Sequence, residues 1–249
     1  MENDSNQTPE SKPGRMQQAL DGQYQFSVKA VFTQANKMVR ENYATLFAGV
    51  AVILGITVLL ITLLATQFSI EQLQNLSSGQ QLLVDVIVLF LIAPVTTGFI
   101  MLGAQIAQTG KGERSTLFRY VPQVISLVLA QLLISIVTQL GLYLLILPGL
   151  YVFIATSFTL PLVADKRMTI FAAMLLSVKM VNTYLSGFIG LFLLFGLLFV
   201  LSAFTFGLAL LWVMPLYYAA IGLLYNDLFG SGMVETTVKT NNNESTFDA

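Results

Sequence analysis

The residues able to do chemistry in this chain are few, and their types exclude most of it. There is no His and no Cys, so the commonest general base, the commonest metal ligand and the thiol nucleophile are all missing. A serine nucleophile would lack its ordinary base. Paired carboxylates must meet in space to share acid and base roles. Asp85 lies about one turn inside an apolar stretch, on the membrane side opposite Asp165 and Asp227, and pairs with neither. Asp85 could contact a cation or a partner helix; the plainer reading is a carboxylate at head-group level favouring a helix N-terminus. Asp227, Asp165 and Glu41 fall at the ends of apolar stretches. Gly110-Lys111-Gly112 lacks the upstream Gly and the following Ser or Thr of a phosphate loop. The expectation is a non-enzyme with no catalytic residues, no metal ligands and no cofactor.

Prolines inside apolar stretches are the other candidates. Pro94, Pro161 and Pro215 each remove an N–H from a helix and free a carbonyl, which can open a hinge or a cavity. With Asp85 they form a candidate cavity or hinge set. Gln105, Gln131 and Gln139 are placed to hydrogen-bond between helices. Small residues four apart, such as Ala51 and Gly55 or Gly103 and Ala107, permit close packing. Trp212, Tyr143, Tyr151, Tyr184, Tyr217 and Tyr218 include expected interface anchors.

The elements that would position these residues are membrane helices. Of the 249 residues 55% are hydrophobic and 10% charged, whereas a soluble domain carries about 25% charged residues. A spanning helix needs about 20 mostly apolar residues. Six stretches qualify: Tyr43 to Thr66, Leu82 to Ala107, Val121 to Leu145, Gly149 to Ala164, Tyr184 to Phe204 and Leu208 to Leu228. Leu147-Pro148-Gly149 reads as the hairpin turn between the third and fourth, and Thr205-Phe206-Gly207 as the join between the fifth and sixth. The net charge of −1 offers no nucleic-acid footprint.

The twelve Lys and Arg residues alternate with the spans. Lys12, Arg15, Lys29, Lys37 and Arg40 precede the first; Lys111, Arg114 and Arg119 follow the second; Lys166, Arg167 and Lys179 follow the fourth; Lys239 follows the sixth. The positive-inside rule then puts both termini in the cytoplasm. Residues 1–24 and 231–249 read as disordered cytoplasmic tails around a transmembrane domain at 25–230.

The basic segments are amphipathic. Val28, Val31, Phe32, Ala35, Met38 and Val39 share one helical face, opposite Lys29, Lys37 and Arg40. Ile170, Phe171, Met174, Leu175, Val178 and Val181 repeat the pattern beside Arg167, and Leu117, Phe118 and Val121 give a shorter version. Lys37-Met38-Val39 mirrors Lys179-Met180-Val181. A threefold repeat is one reading, each unit an interfacial helix followed by a transmembrane hairpin; short basic loops that merely look amphipathic are the other. Lys29, Lys37, Arg40, Lys111, Arg114, Arg119, Lys166, Arg167 and Lys179 are the candidate contacts to anionic lipid.

The run from Leu147-Pro148-Gly149 through Pro161-Leu162-Val163-Ala164-Asp165-Lys166 to Ser177 resembles the YciC-like family of bacterial inner-membrane proteins. It is also similar to the membrane portion of some glycerophosphodiester phosphodiesterases, whose catalytic domain has no counterpart here. The resemblance implies a multi-pass bundle in the bacterial cytoplasmic membrane and names no activity. The expected role is an envelope or lipid-associated scaffold, with membrane lipids as partners and a membrane-protein partner or second copy as a further possibility. The alternative is a transporter or channel for a small or apolar solute.

Overall fold

The computed structural model describes residues 15–69, 72 and 75–230, and among them there is no strand. Ten α-helices follow one another among the described residues: α1 (Arg15–Leu20), α2 (Val28–Glu41), α3 (Tyr43–Gln67), α4 (Ser78–Thr109), α5 (Val124–Leu144), α6 (Ile146–Ala155), α7 (Thr159–Lys166), α8 (Ile170–Thr183), α9 (Leu185–Ala203) and α10 (Leu210–Phe229). Two short 3-10 segments, Arg114–Phe118 and Val121–Gln123, lie between α4 and α5.

Five stretches are long and apolar enough to cross a membrane: Tyr43–Gln67, Ser78–Thr109, Arg114–Leu144, Ile146–Lys166 and Leu185–Ala203. The chain is an all-α, multi-pass membrane protein. The sixth expected span is present as α10, a helix of 20 residues, but it is not among those five. Its three tyrosines, Pro215, Asn226 and Asp227 lower its hydropathy. It also buries more residues than any other described helix, with every one from Ala219 to Asn226 buried. The stretch expected as the sixth span lies at the centre of the core.

Glycines set that centre. A Cβ on Gly222 would lie 2.4 Å from the Ile100 carbonyl, and one on Gly103 would lie 2.7 Å from the Tyr218 carbonyl. The backbones of α4 and α10 therefore touch. One turn before these glycines, the rings of Phe99 and Tyr218 stack at 4.2 Å, and Gly49 of α3 leaves room for Phe99. Pro94 and Pro215 are buried in these two helices, and both helices continue through them.

α2 packs one face into the core. Val31, Ala35, Met38 and Val39 are buried, while Lys29, Lys37 and Arg40 are exposed. α8 differs. Its buried face is Ala173, Ser177, Met180 and Val181, while Phe171 and Leu175, expected on that face, are each 67% exposed. The two helices are equivalent nonetheless: each has 14 residues. Each joins its span through one residue of the same conformation, Asn42 (φ −122°, ψ 27°) and Tyr184 (φ −123°, ψ 32°). Lys37-Met38-Val39 and Lys179-Met180-Val181 occupy matching places.

The middle unit breaks the expected threefold pattern. Its basic loop forms 3-10 turns rather than an α-helix, with Leu117 buried but Phe118 and Val121 exposed. Gly110 ends α4 at φ 77°, and Pro122 follows too soon for a helix to grow. The loop tucks against α4 where Gly98 has no side chain; a Cβ there would lie 2.2 Å from the Leu117 carbonyl.

Two further expectations change. The turn between α5 and α6 falls at Leu145, which is extended, so Pro148 and Gly149 sit in the first turn of α6. A proline in a first turn costs no hydrogen bond, because that N–H has no helical partner. Gly149 there lets α6 press on Gly141 of α5. Residues 15–24, expected to be disordered, carry α1, whose Ala19 is buried. Residues 1–14 and 231–249, the remainder of the expected tails, lie outside the described residues. The join at Thr205-Phe206-Gly207 stands, turned by φ 51° at Phe206 and 83° at Gly207.

The glycine contact makes a direct prediction. Gly222→Leu must push α10 off α4, and overpacking of this kind costs about 1–3 kcal/mol or more. Gly55→Leu, at a position with nothing within 4 Å of its Cβ, should leave stability unchanged. Thermal unfolding of both variants in detergent checks the difference.

Candidate functional site

The fourth span, Ile146–Lys166, is where the chain departs most from a plain membrane helix. Pro161 has no N–H, so the Ser157 carbonyl one turn earlier has no helical partner. The helix breaks between Ala155 and Thr159. In a membrane, freed backbone groups need other partners. Ser177 of α8, fully buried, supplies them: its hydroxyl donates to the Ala155 carbonyl at 2.7 Å and accepts from the Phe158 N–H at 3.2 Å. The Thr156 hydroxyl donates to the Val152 carbonyl at 2.8 Å. The buried hydroxyls of Ser157 and Thr159 have no hydrogen-bond partner among the described residues. The span is thus interrupted just before Pro161, and Ser177, at the far end of the run that carries the family resemblance, bonds to both sides of the break.

Below the break lies a tyrosine–carboxylate cluster. The Tyr225 hydroxyl, in a fully buried side chain, donates to Asp165 at 2.8 Å and lies 3.4 Å from the Pro161 carbonyl. The Asp165 side chain is 7% exposed, with the Lys166 amine 3.6 Å away. Alongside, the Tyr24 hydroxyl donates to Asp227 at 3.2 Å. The Tyr184 hydroxyl accepts from the Tyr24 N–H at 3.1 Å and donates to the Ala19 carbonyl at 2.6 Å. Phe26 packs on Tyr184 and on Phe188, in a space that Gly187 leaves open. Burial, and then the charge of Asp227, push the Tyr24 phenol well above its usual range. This cluster binds α1 and the segment before α2 to α9 and α10. Asp165, Asp227 and Tyr184 therefore tie elements together at the span ends where the sequence places them.

The other predicted residues divide by place. Lys29, Lys37, Arg40, Lys111, Arg114, Arg119, Lys166, Arg167 and Lys179 are all exposed; Lys37 pairs with Glu41 at 3.9 Å. Asp85 is exposed on the first half of α4, about 13 Å along the axis from Pro94 at 1.5 Å per residue. The cavity set is not one site: Pro94 and Pro215 lie in the α4–α10 core, Pro161 at the break, and Asp85 outside. Gln105 does bridge elements, its side-chain carbonyl accepting from the Glu113 N–H at 3.1 Å and the Thr116 hydroxyl at 2.8 Å. Sequence reasoning missed Asn42 and Tyr24. Asn42 donates to the Gly110 carbonyl at 3.2 Å and accepts from the Gly112 N–H at 3.3 Å. The signal for it was an amide between an amphipathic helix and a span.

Among the described residues, no three His, Cys, Asp or Glu side chains are grouped to hold a metal ion. No family model, curated protein or solved structure matches the chain. The YciC-like resemblance therefore stands on the residues quoted for it and brings no residue role with it.

Ser177→Ala should destabilise the protein by about 1–3 kcal/mol, the range for leaving a buried donor and acceptor unpaired. Ser126→Ala, on an exposed serine of α5, should be neutral. Denaturation midpoints of the two variants in one detergent test this; equal midpoints would remove Ser177 from the account of the break.

Proposed function

We propose that this protein is a non-enzymatic, lipid-associated scaffold of the bacterial cytoplasmic membrane, with both termini in the cytoplasm and anionic lipid held at its basic helices. The observation that carries this reading is the outward face of α8. Phe171 and Leu175, each 67% exposed, lie in line with Lys179 at four-residue spacing, so one stripe presents apolar side chains and then a cation. A helix lying in the head-group region needs that order, with apolar groups entering the acyl boundary and cations meeting lipid phosphate. Lys29, Lys37 and Arg40 on α2 add an exposed cationic face, and the resemblance to YciC-like proteins supports the bacterial inner membrane.

The reading is tested by lipid-dependent stability. Added phosphatidylglycerol should raise the detergent melting temperature of the wild type by several degrees more than phosphatidylcholine does. Lys37→Glu, Arg167→Glu and Lys179→Glu together should abolish that difference. Equal responses of the wild type to both lipids would sink the anionic-lipid role. A reporter fused after Gly230 should be active only in the cytoplasm.

A transporter is the second reading, and one observation favours it. The broken fourth span carries the unpartnered hydroxyls of Ser157 and Thr159, and interrupted membrane helices form the substrate sites of many transporters. Pro161→Ala should then change solute flux in proteoliposomes, whereas a scaffold would show none in either form.

A further inference from the structure

A second feature lies on the lipid-facing side of the broken span. α6 and α9 diverge around a groove with a volume of about 730 Å³, inside the roughly 300–1,000 Å³ range of sites that enclose small molecules. Leu150, Phe153 and Ile154 form one wall, and Ile189, Leu193 and Leu197 form the other. Phe153 and Phe192 meet edge to face at 5.8 Å and join the walls. Gly196 keeps the space open: a Cβ there would meet nothing within 4 Å.

We infer that this groove holds one acyl chain of a membrane phospholipid, with the head group at Lys179. Three observations choose that occupant. The walls belong to two stretches that are long and apolar enough to cross a membrane, so hydrocarbon is what surrounds them. One end of the groove is polar: the Tyr151 hydroxyl donates to the Asn182 side-chain carbonyl at 3.0 Å on the exposed surface. Lys179 stands one turn before Asn182 on the same exposed face of α8. An apolar trough closed by an amide, a phenol and a cation matches a single-chain tail leading to an anionic head. The head-group part rests on the lipid-associated reading above; the chain part requires only that the protein sits in a bilayer.

The test uses the full chain in nanodiscs. Phosphatidylglycerol carrying a photoactivatable diazirine in one acyl chain is the probe, with the matching phosphatidylcholine alongside, and adducts are mapped by peptide mass spectrometry. The expected yield on residues 150–154 and 189–197 is several-fold above that on Val58 and Ile61, which are 61% exposed on α3 and report ordinary lipid contact. Gly196→Phe should fill the groove, lower its labelling several-fold and leave α3 labelling unchanged, which also shows that the variant is folded. Groove yields no higher than those on α3, or yields insensitive to Gly196→Phe, would overturn the site. So would cross-links between copies from a photoreactive residue at Leu193, since a second copy would then fill the groove. Lys179→Glu separates the two claims. Loss of phosphatidylglycerol labelling alone supports the head-group assignment. Equal labelling by both lipids, unaffected by Lys179→Glu, keeps the chain site and refutes that assignment. Anionic-lipid stabilisation without groove enrichment refutes the chain site and leaves the scaffold reading intact.

Discussion

Two positions without side chains, Gly103 and Gly222, let α4 and α10 meet backbone to backbone. Each glycine follows an aromatic residue by one turn, Phe99 in α4 and Tyr218 in α10, and the two rings stack on each other as the glycines touch. The pairing is thus nearly symmetric, ring on ring and bare patch on bare patch. In lipid, bringing apolar helices together removes no water, so packing and hydrogen bonds must hold them. Close backbone approach multiplies dispersion contacts, each worth only about 0.1–0.2 kcal/mol. With α10 held there, α2, α3, α9 and α1 have a surface to close against.

Enclosing α10 has a consequence for its polar groups. Tyr217, Tyr218, Tyr225, Asn226 and Asp227 are carried inside with it, and buried polar atoms need partners. The fold meets this by bringing in groups from distant parts of the chain. Asp165 comes from α7 to Tyr225, and Tyr24 comes from the N-terminal segment to Asp227. The same rule governs the fourth span, where one hydroxyl, Ser177, serves both a carbonyl and an N–H at the break. Asp165, Tyr24 and Ser177 therefore each fix the position of an element as well as satisfying an atom.

Helix class, most span limits and the outward placing of the basic residues were legible in the sequence, because they follow from apolar run length and from the cost of burying a cation. The buried face of α2 was legible for the same reason, since its other side carries the exposed Lys29, Lys37 and Arg40. The face of α8 was not. Both of its faces are apolar, so periodicity alone cannot say which one packs, and small Ala173 and Ser177 won the inner place because they allow close approach to the break. α10 misled for a related cause. Tyrosine, asparagine and aspartate at the end of a span fit an interface as well as an interior, and only partners distant in sequence decide between them. The tie between Asp165 and Tyr225 was not legible, because the two lie 60 positions apart.

The matched helices α2 and α8 show how one unit can serve two surroundings. Their lengths, their joints and their buried Met-Val pairs agree, so each outward position on one has a counterpart on the other. Where α2 presents Lys29, Thr33, Lys37 and Arg40, α8 presents Phe171, Leu175, Lys179 and Asn182, all exposed. Two of the four places have exchanged a polar group for a large apolar one, and only the lysine near the joint is kept. A face with Phe and Leu in water would forfeit the transfer energy of both side chains, about 1.5–3 kcal/mol each, with nothing in the fold to offset it. That loss disappears when the N-terminal half of α8 lies against acyl chains while Lys179 remains at head-group depth. α2, cationic along its whole outward face, has no such requirement. The apolar stripe thus lies on the one of the two matched helices that packs beside the broken span.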